Sequence, residues 1–280
     1  MSRGQGRSDF VSSRYRPRFF MPRTGQAERS SPSRTVAVVP ARYNSKRLPG
    51  KVLAPIAGHT MLEHVWRRTN DAETIDRVIV ATDDERVRVA ALAFAPEGDV
   101  LMTSSAHVSG SDRVAEVAQS VAAEIYVNVQ ADLPLLDPTL VDATVRVLIS
   151  DPELGMATAA VPVASPEEMT SPNVVKVVVG ADGRALYFSR APIPYDRDNP
   201  GDSVRARHHV GIYAFRRRTL LHFAELDPSA LEHTEGLEQL RALENGIAIG
   251  VALVESSKHL AVDSSNDLEA ARQALGGRDG

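Results

Sequence analysis

Between residues 36 and 150 short β-branched runs alternate with amphipathic stretches, and this repeat narrows the folds open to the chain more than any other feature. The runs at 36–39 (VAVV), 76–84 (DRVIVATDD), 99–102 and 124–129 (EIYVNV) read as strands. Between them, 60–69 (TMLEHVWRRT), 85–94, 111–123 and 138–150 read as helices. Met61, Val65 and Trp66 share one side of the first, with charges opposite, and Ser111 stands where an N-cap is expected. Strands that return after each helix across short loops imply a mainly parallel sheet with helices on both faces. Such sheets bind ligands beyond the carboxyl ends of their strands, so the loops after Val39, Ala81 and Val129 are expected to open onto one cleft.

The second half changes character. Runs at 155–163, 174–179, 185–188 and 210–215 are strand-like with few helices between them. A proline-rich, charged loop (APIPYDRDNPGDSVRA) lies between Arg190 and Arg207, long enough to cover a cleft or reach a second subunit. A helix over 235–245 with Gly246 as its cap, a strand over 247–254 and a final helix from 264 to 275 are expected to complete the chain.

A length of 280 residues with 43% apolar and 24% charged side chains suits a soluble α/β protein with a sizeable core. Without cysteine, disulfides, thiolate catalysis and cysteine-ligated metals are excluded, and a reducing cytoplasm is the expected location. No apolar run approaches the roughly 20 residues that span a bilayer, so no membrane partner is expected. Residues 1–34 hold eight arginines against Asp9 and Glu28 and read as a disordered basic tail ahead of a single domain over 35–280. The net charge is −4, so the body of the chain is acidic, which argues against nucleic acid as a partner.

The first strand delivers the loop PARYNSKRLPGK (40–51), with Arg42, Lys46, Arg47 and Lys51 in it. A Walker-type loop needs several glycines and a Ser or Thr after its lysine; here Gly50-Lys51 precedes Val52, so that signature is absent. What remains is a set of cations, backbone N–H groups and the Ser45 hydroxyl that can envelop a polyphosphate. The chain has four lysines and two are in this loop, where compact, flexible cations suit phosphate.

PARYNSKRLPGK resembles the signature of cytidylyltransferases that make CMP-activated acidic sugars, above all the 3-deoxy-manno-octulosonate (KDO) branch, the CMP-KDO synthetases. ATDDERV (81–87), SGSDRVAEVA (109–118), NVQADLP (128–134), ALYFSRAPIPYDRD (185–198), HVGIYAFR (209–216), LEQLRALENG (237–246) and VDSSNDLE (262–269) resemble the same branch in the same order. The resemblance implies a Rossmann-like α/β nucleotidyltransferase fold with an added β-rich acceptor and dimerisation region at about 185–245, and a homodimer. It implies attack by an acidic acceptor on the α-phosphorus of CTP, with pyrophosphate leaving. Arg42, Ser45 and Lys51 would hold phosphates, with Lys46 or Arg47 assisting, and Arg42, Lys51 and Asp132 would be catalytic. Pro40 and Ala41 would lie near the cytosine, with Ser111 and Arg113 as further nucleotide contacts. Asp132 and Asp263 would hold Mg2+, a hard cation that needs few carboxylates beside phosphate oxygens. Gln130, Arg190, His209, Tyr213, Glu238 and Gln239 would meet the acceptor, Arg190 pairing with its carboxylate.

The chain also departs from the family pattern. Ala131-Asp132-Leu133-Pro134 stands where Gly-Asp-Glu-Pro is usual, Val52 replaces a proline after Lys51, and His208 replaces an arginine. A phosphonate such as phosphonoformate, activated in antibiotic biosynthesis, is therefore the alternative acceptor. A non-catalytic nucleotide or sugar-acid binding protein is the reading from a different class.

Overall fold

The computed structural model describes residues 33–45, 48–198, 206–255 and 261–276. Residues 1–32, and with them nearly all of the expected basic tail, lie outside the described residues, as do Lys46, Arg47 and residues 199–205 of the proline-rich loop. In chain order the elements are β1 (Ser33–Ala41), β2 (Pro55–Ile56), β3 (His59–Thr60), α1 (Met61–Asn70), β4 (Arg77–Thr82), α2 (Glu85–Ala91), β5 (Val100–Met102), α3 (Gly110–Ser120), β6 (Ala123–Asn128) and α4 (Pro138–Ser150). They continue with β7 (Met156–Pro162), α5 (Pro166–Thr170), β8 (Lys176–Val179), β9 (Ala185–Ser189), β10 (Arg207–Arg216), α6 (Arg217–Glu225), α7 (Ala230–Glu235), α8 (Gln239–Glu244), β11 (Ile249–Leu253) and α9 (Ser265–Gly276).

The main sheet runs β11-β7-β10-β6-β1-β4-β5. β1 pairs in parallel with β4 and β6, β4 with β5, and β11 with β7, while β10 runs against both of its neighbours, β6 and β7. The β8–β9 hairpin hangs on the start of β10 through Arg207 and His208. Both sheet faces are covered, which is why the strands are apolar without interruption. Ala37, Val39, Val78, Val80 and Val127 face Leu62, Val65 and Trp66 of α1 and Leu140, Val145 and Leu148 of α4. Val36, Val38, Ile79 and Tyr126 face Val114 and Val117 of α3 and Leu220 and Phe223 of α6. Each of the buried valines, leucines and isoleucines among these contributes about 1.5–3 kcal/mol relative to exposure.

The β-α-β half follows the sequence closely; the second half does not. α6 and α7 fill 217–235, where the sequence carries no expectation, and the helix expected over 235–245 begins only at Gln239, as α8. Gly236, at φ +62°, ends α7 and forces a turn before α8. α3 starts earlier than expected, because its cap is Ser109 and not Ser111: the Ser109 hydroxyl and the Asp112 carboxylate form a reciprocal capping box. β1 begins at Ser33, inside the stretch read as tail.

Candidate active site

After β1 the chain turns away toward β4, and after β6 it departs to the other side, so a crevice opens where the two neighbouring strands end. A cleft of about 1190 Å³ lies there. Pro40, Arg42, Ser45 and Lys51 line it from the β1 loop, Gln130 and Asp132 from the β6 loop, and Asp263 from the segment before α9. Arg190, His209, Tyr213, Glu238 and Gln239 line it from the second half of the chain.

Lys51 is the centre of its charge. Its ammonium donates to Asp132 Oδ2 at 2.8 Å, Asp263 Oδ1 at 3.0 Å and the Val262 carbonyl at 2.8 Å. Burial works against that charge, but the Asp132 and Asp263 carboxylates outweigh it and hold the pKa above the ordinary lysine value. The Val262 N–H donates to the Asp132 carbonyl, which brings two aspartates distant in sequence side by side. Asp132 Oδ1 is buried and has no hydrogen-bond partner, a state that a hard cation would relieve. Among the described residues no group of three or more His, Cys, Asp or Glu could hold a metal ion. Two carboxylates therefore fit magnesium, which keeps waters and phosphate oxygens in its shell, better than a metal caged by protein.

The loop itself is pinned from inside and outside. The Tyr43 carbonyl accepts from the N–H groups of Ser45 (3.1 Å) and Gly50 (2.7 Å). Gly50 is left-handed at φ +73°, and a Cβ there would meet the Tyr43 ring at 3.2 Å. The Arg86 guanidinium lies 3.4 Å over the same ring, itself held by Asp84 at 2.6 Å. Arg42 reaches across to the carbonyls of His107 (2.5 Å) and Ser109 (3.2 Å), joining the loop to the segment before α3.

Three nucleotide-side residues do not line the cleft. Ala41 is in the core, Arg113 is fully buried with Asp83 at 3.1 Å and Thr103 as partners, and Ser111 is buried behind the surface. Ser111, freed from capping, donates to Glu238 Oε2 at 3.0 Å and accepts from the Asn128 amide at 3.3 Å. The expectation that the loop after Ala81 opens onto the cleft is corrected: Asp83 and Asp84 spend their carboxylates on Arg113 and Arg86, bracing the two donor-side segments from behind.

On the other side, His209 Nε2 is 2.9 Å from the Thr158 hydroxyl, which also lies 2.7 Å from the Ile212 carbonyl. Because that hydroxyl has one proton and gives it to the carbonyl, Nε2 carries the imidazole proton and Nδ1 is left as an acceptor. Burial, with His208 adjacent, pushes the His209 pKa down to about 3. Tyr213 donates to Gln239 Oε1 at 3.0 Å, and burial beside Glu238 raises its pKa. Burial likewise pushes the Glu238 carboxyl up, against its hydrogen bonds from Ser109 and Ser111. Between His209 and Tyr213 the pairing of β10 with β7 shifts register, and Gly211 sits in that bulge with Gln130 where a Cβ would be. Arg190 donates to the carbonyls of Glu235 (2.7 Å), Pro172 (2.7 Å) and Gly236 (3.3 Å).

Asn128 was not singled out by sequence reasoning. It is buried at the end of β6, lines the cleft, and its Oδ1 has no hydrogen-bond partner, as is true of Gln239 Nε2 and of Glu238 Oε1, which has only the Arg241 guanidinium at 3.9 Å. The signal was a polar residue closing the apolar run EIYVNV. Leu133, standing where the resemblance places a carboxylate, packs into the core instead.

A family model described as cytidylyltransferase matches residues 36–249. The chain belongs to the cytidylyltransferase family. This cytidylyltransferase is 49% identical over 238 residues to the 3-deoxy-manno-octulosonate cytidylyltransferase of Solibacter usitatus, covering 85% of this chain and 93% of the relative. It is 48% identical to that of Myxococcus xanthus, covering 88% and 98%. Among solved structures, a CMP:2-keto-3-deoxy-manno-octonic acid synthetase complexed with CTP superposes with a TM-score of 0.81 at 42% identity, over 89% of this chain and all of the other. The resemblance of the sequence motifs to CMP-KDO synthetases is thereby borne out, as is a CTP-dependent nucleotidyltransferase. More distant likeness, to 4-diphosphocytidyl-2C-methyl-D-erythritol synthase of Anaerococcus prevotii at 13% identity and a TM-score of 0.56, concerns the fold alone.

Proposed function

We propose that this cytidylyltransferase transfers CMP from CTP to a KDO-type 3-deoxy-2-ulosonate and releases pyrophosphate. The observation that carries the reading is that one cleft joins the Lys51–Asp132–Asp263 charge cluster to the recess of His209, Tyr213, Glu238 and Gln239. The first suits a triphosphate, the second a hydroxylated acid. Relatives named as 3-deoxy-manno-octulosonate cytidylyltransferases support the acceptor, and the phosphonate alternative is not favoured by them.

In the reaction an acceptor hydroxyl oxygen attacks the α-phosphorus, its proton passes to solvent water as the new P–O bond forms, and the bond to the leaving pyrophosphate breaks. Little covalent work falls to the protein, so catalysis is positioning and charge stabilisation. Arg42, Ser45 and Lys51 grip the phosphates; Pro40 bounds the cytosine end. Arg113 and Ser111 act from behind that surface by fixing the segments that hold the nucleotide. Mg2+, held by Asp132 and Asp263, would neutralise triphosphate charge. Arg190 keeps N–H groups for an acceptor carboxylate after its three carbonyl bonds, and His209 Nδ1 accepts from an acceptor hydroxyl. The same reading makes the enzyme a cytoplasmic homodimer, with support from exposed Leu186 and Tyr195 in the region assigned to dimerisation.

The test is pyrophosphate release from CTP and Mg2+ with KDO, sialate and phosphonoformate in parallel. KDO is expected to support turnover. An inert KDO beside an active phosphonoformate overturns the acceptor, and no release with any of the three overturns the reading.

A further inference from the structure

Lys176 has none of its surface exposed. It lies in β8, in register with Ser189 of β9 on one side and His208 of β10 on the other. Its ammonium donates to the carbonyls of Val174 and Arg190 at 2.6 Å each and of Ser171 at 2.9 Å, which uses all three of its protons. Burying an ammonium against neutral carbonyls is costly compared with an apolar side chain of similar length. Burial and the nearby Arg190 hold its pKa below the ordinary lysine value, Glu235 opposing them.

The bonds made by Lys176 and its neighbour Arg190 interlock. Lys176 ties the 171–174 turn to the main chain of Arg190. The Arg190 side chain returns to that turn at Pro172 and reaches on to Glu235 and Gly236 at the end of α7. The Glu235 carboxylate closes the ring by accepting from the Arg190 N–H at 3.0 Å and the Ser189 hydroxyl at 2.6 Å. Two pieces of cleft wall leave this knot directly, Asn173 to Val175 and Gly236 to Gln239. Among the described residues, none of its hydrogen bonds reaches the 40–51 loop.

We infer that Lys176 is a positioning residue for the acceptor: it holds Arg190 and, through Glu235 and Gly236, the turn that presents Glu238 and Gln239. This rests on the acceptor reading above. It assigns a task to a buried cation that the transfer chemistry does not use.

The test compares wild type with Lys176→Met in steady-state kinetics and in amide hydrogen exchange. The variant is expected to raise the acceptor KM about tenfold or more while the CTP KM stays within about twofold. Exchange should quicken at 173–175 and 237–240 and stay unchanged in β1. Equal changes in both KM values, no change in either, or exchange that quickens everywhere would overturn the inference. Should Lys176→Met not fold, Glu235→Gln, which breaks the same knot from its other side, decides by the same measurements. If wild type releases no pyrophosphate with any of the three acids, the function reading falls, and the contrast in exchange between the cleft wall and β1 still decides the positioning role.

Discussion

At Lys51 one ammonium is shared between two carboxylates, one of which keeps a buried oxygen unpaired. On the proposed reading such a group exchanges partners when phosphate arrives. Asp132→Asn and Asp263→Asn are accordingly expected to lower turnover by about 100-fold or more, with CTP affinity changed by less than about tenfold. Steady-state rates set beside CTP titrations check this; unchanged turnover would remove that residue from the metal site. His209 supplies a pH dependence. Its folded pKa of about 3 lies below the unfolded value near 6.5, so the unfolded chain takes a proton that the native state refuses. The contribution is full above about pH 6.5 and is lost as pH falls toward 3, with about 2 kcal/mol of it already lost at pH 5. Denaturant melts at pH 7 and pH 5 should differ less in His209→Gln than in wild type; an equal difference would assign the slope to other groups. Arg42 and Lys51 were legible as cations of a strand-exit loop, and Asp132 and Asp263 only through the resemblance of their motifs to the family. Asn128, Lys176 and Glu235 were not: Asn128 and Lys176 are set apart by burial and Glu235 by the Arg190 N–H and Ser189 hydroxyl that it accepts from, all of which the chain order hides.

Among the elements, the first half was legible because apolar periodicity and strand-exit loops agree at every step. The second half hid its helices: RRTLLHFAE carries an amphipathic face beside a strand, and in HTEGLEQLR the glycine breaks what otherwise reads as one helix. The start of α3 shows how a shift of two residues changes function, for Ser109 takes the cap and Ser111 is released to Glu238. Ser109→Ala should cost about 1 kcal/mol and lower Tm by about 2–4 °C, measured by thermal melting; no loss would mean the capping box carries no stability. In the β10 bulge, a Cβ on residue 211 would lie 2.5 Å from Gln130 Nε2, the movable end of a side chain. Gly211→Ala should therefore fold, shift Gln130, and raise the acceptor KM by about threefold or more. An unchanged acceptor KM would take Gln130 out of acceptor binding.

For the whole molecule, the divergence of the chain after the parallel neighbours β1 and β6 puts the 40–51 loop and the segments proposed to meet the acceptor along one opening. Sedimentation of the full chain is expected to give about twice 30.3 kDa, and a Leu186→Glu variant to shift it toward the monomer; a monomeric wild type would overturn the dimer. β10 belongs to both halves. Its end pairs with β6, which neighbours β1 and its 40–51 loop, and its beginning pairs with β8, beside the cleft wall at 173–175, with the bulge between them. A strand with a slack joint in its middle lets each end keep its own register. On the proposed reading, a substitution or a residue gained or lost at the bulge would therefore alter the wall assigned to the acid while the pairing with β6, beside the loop assigned to the nucleotide, keeps its register.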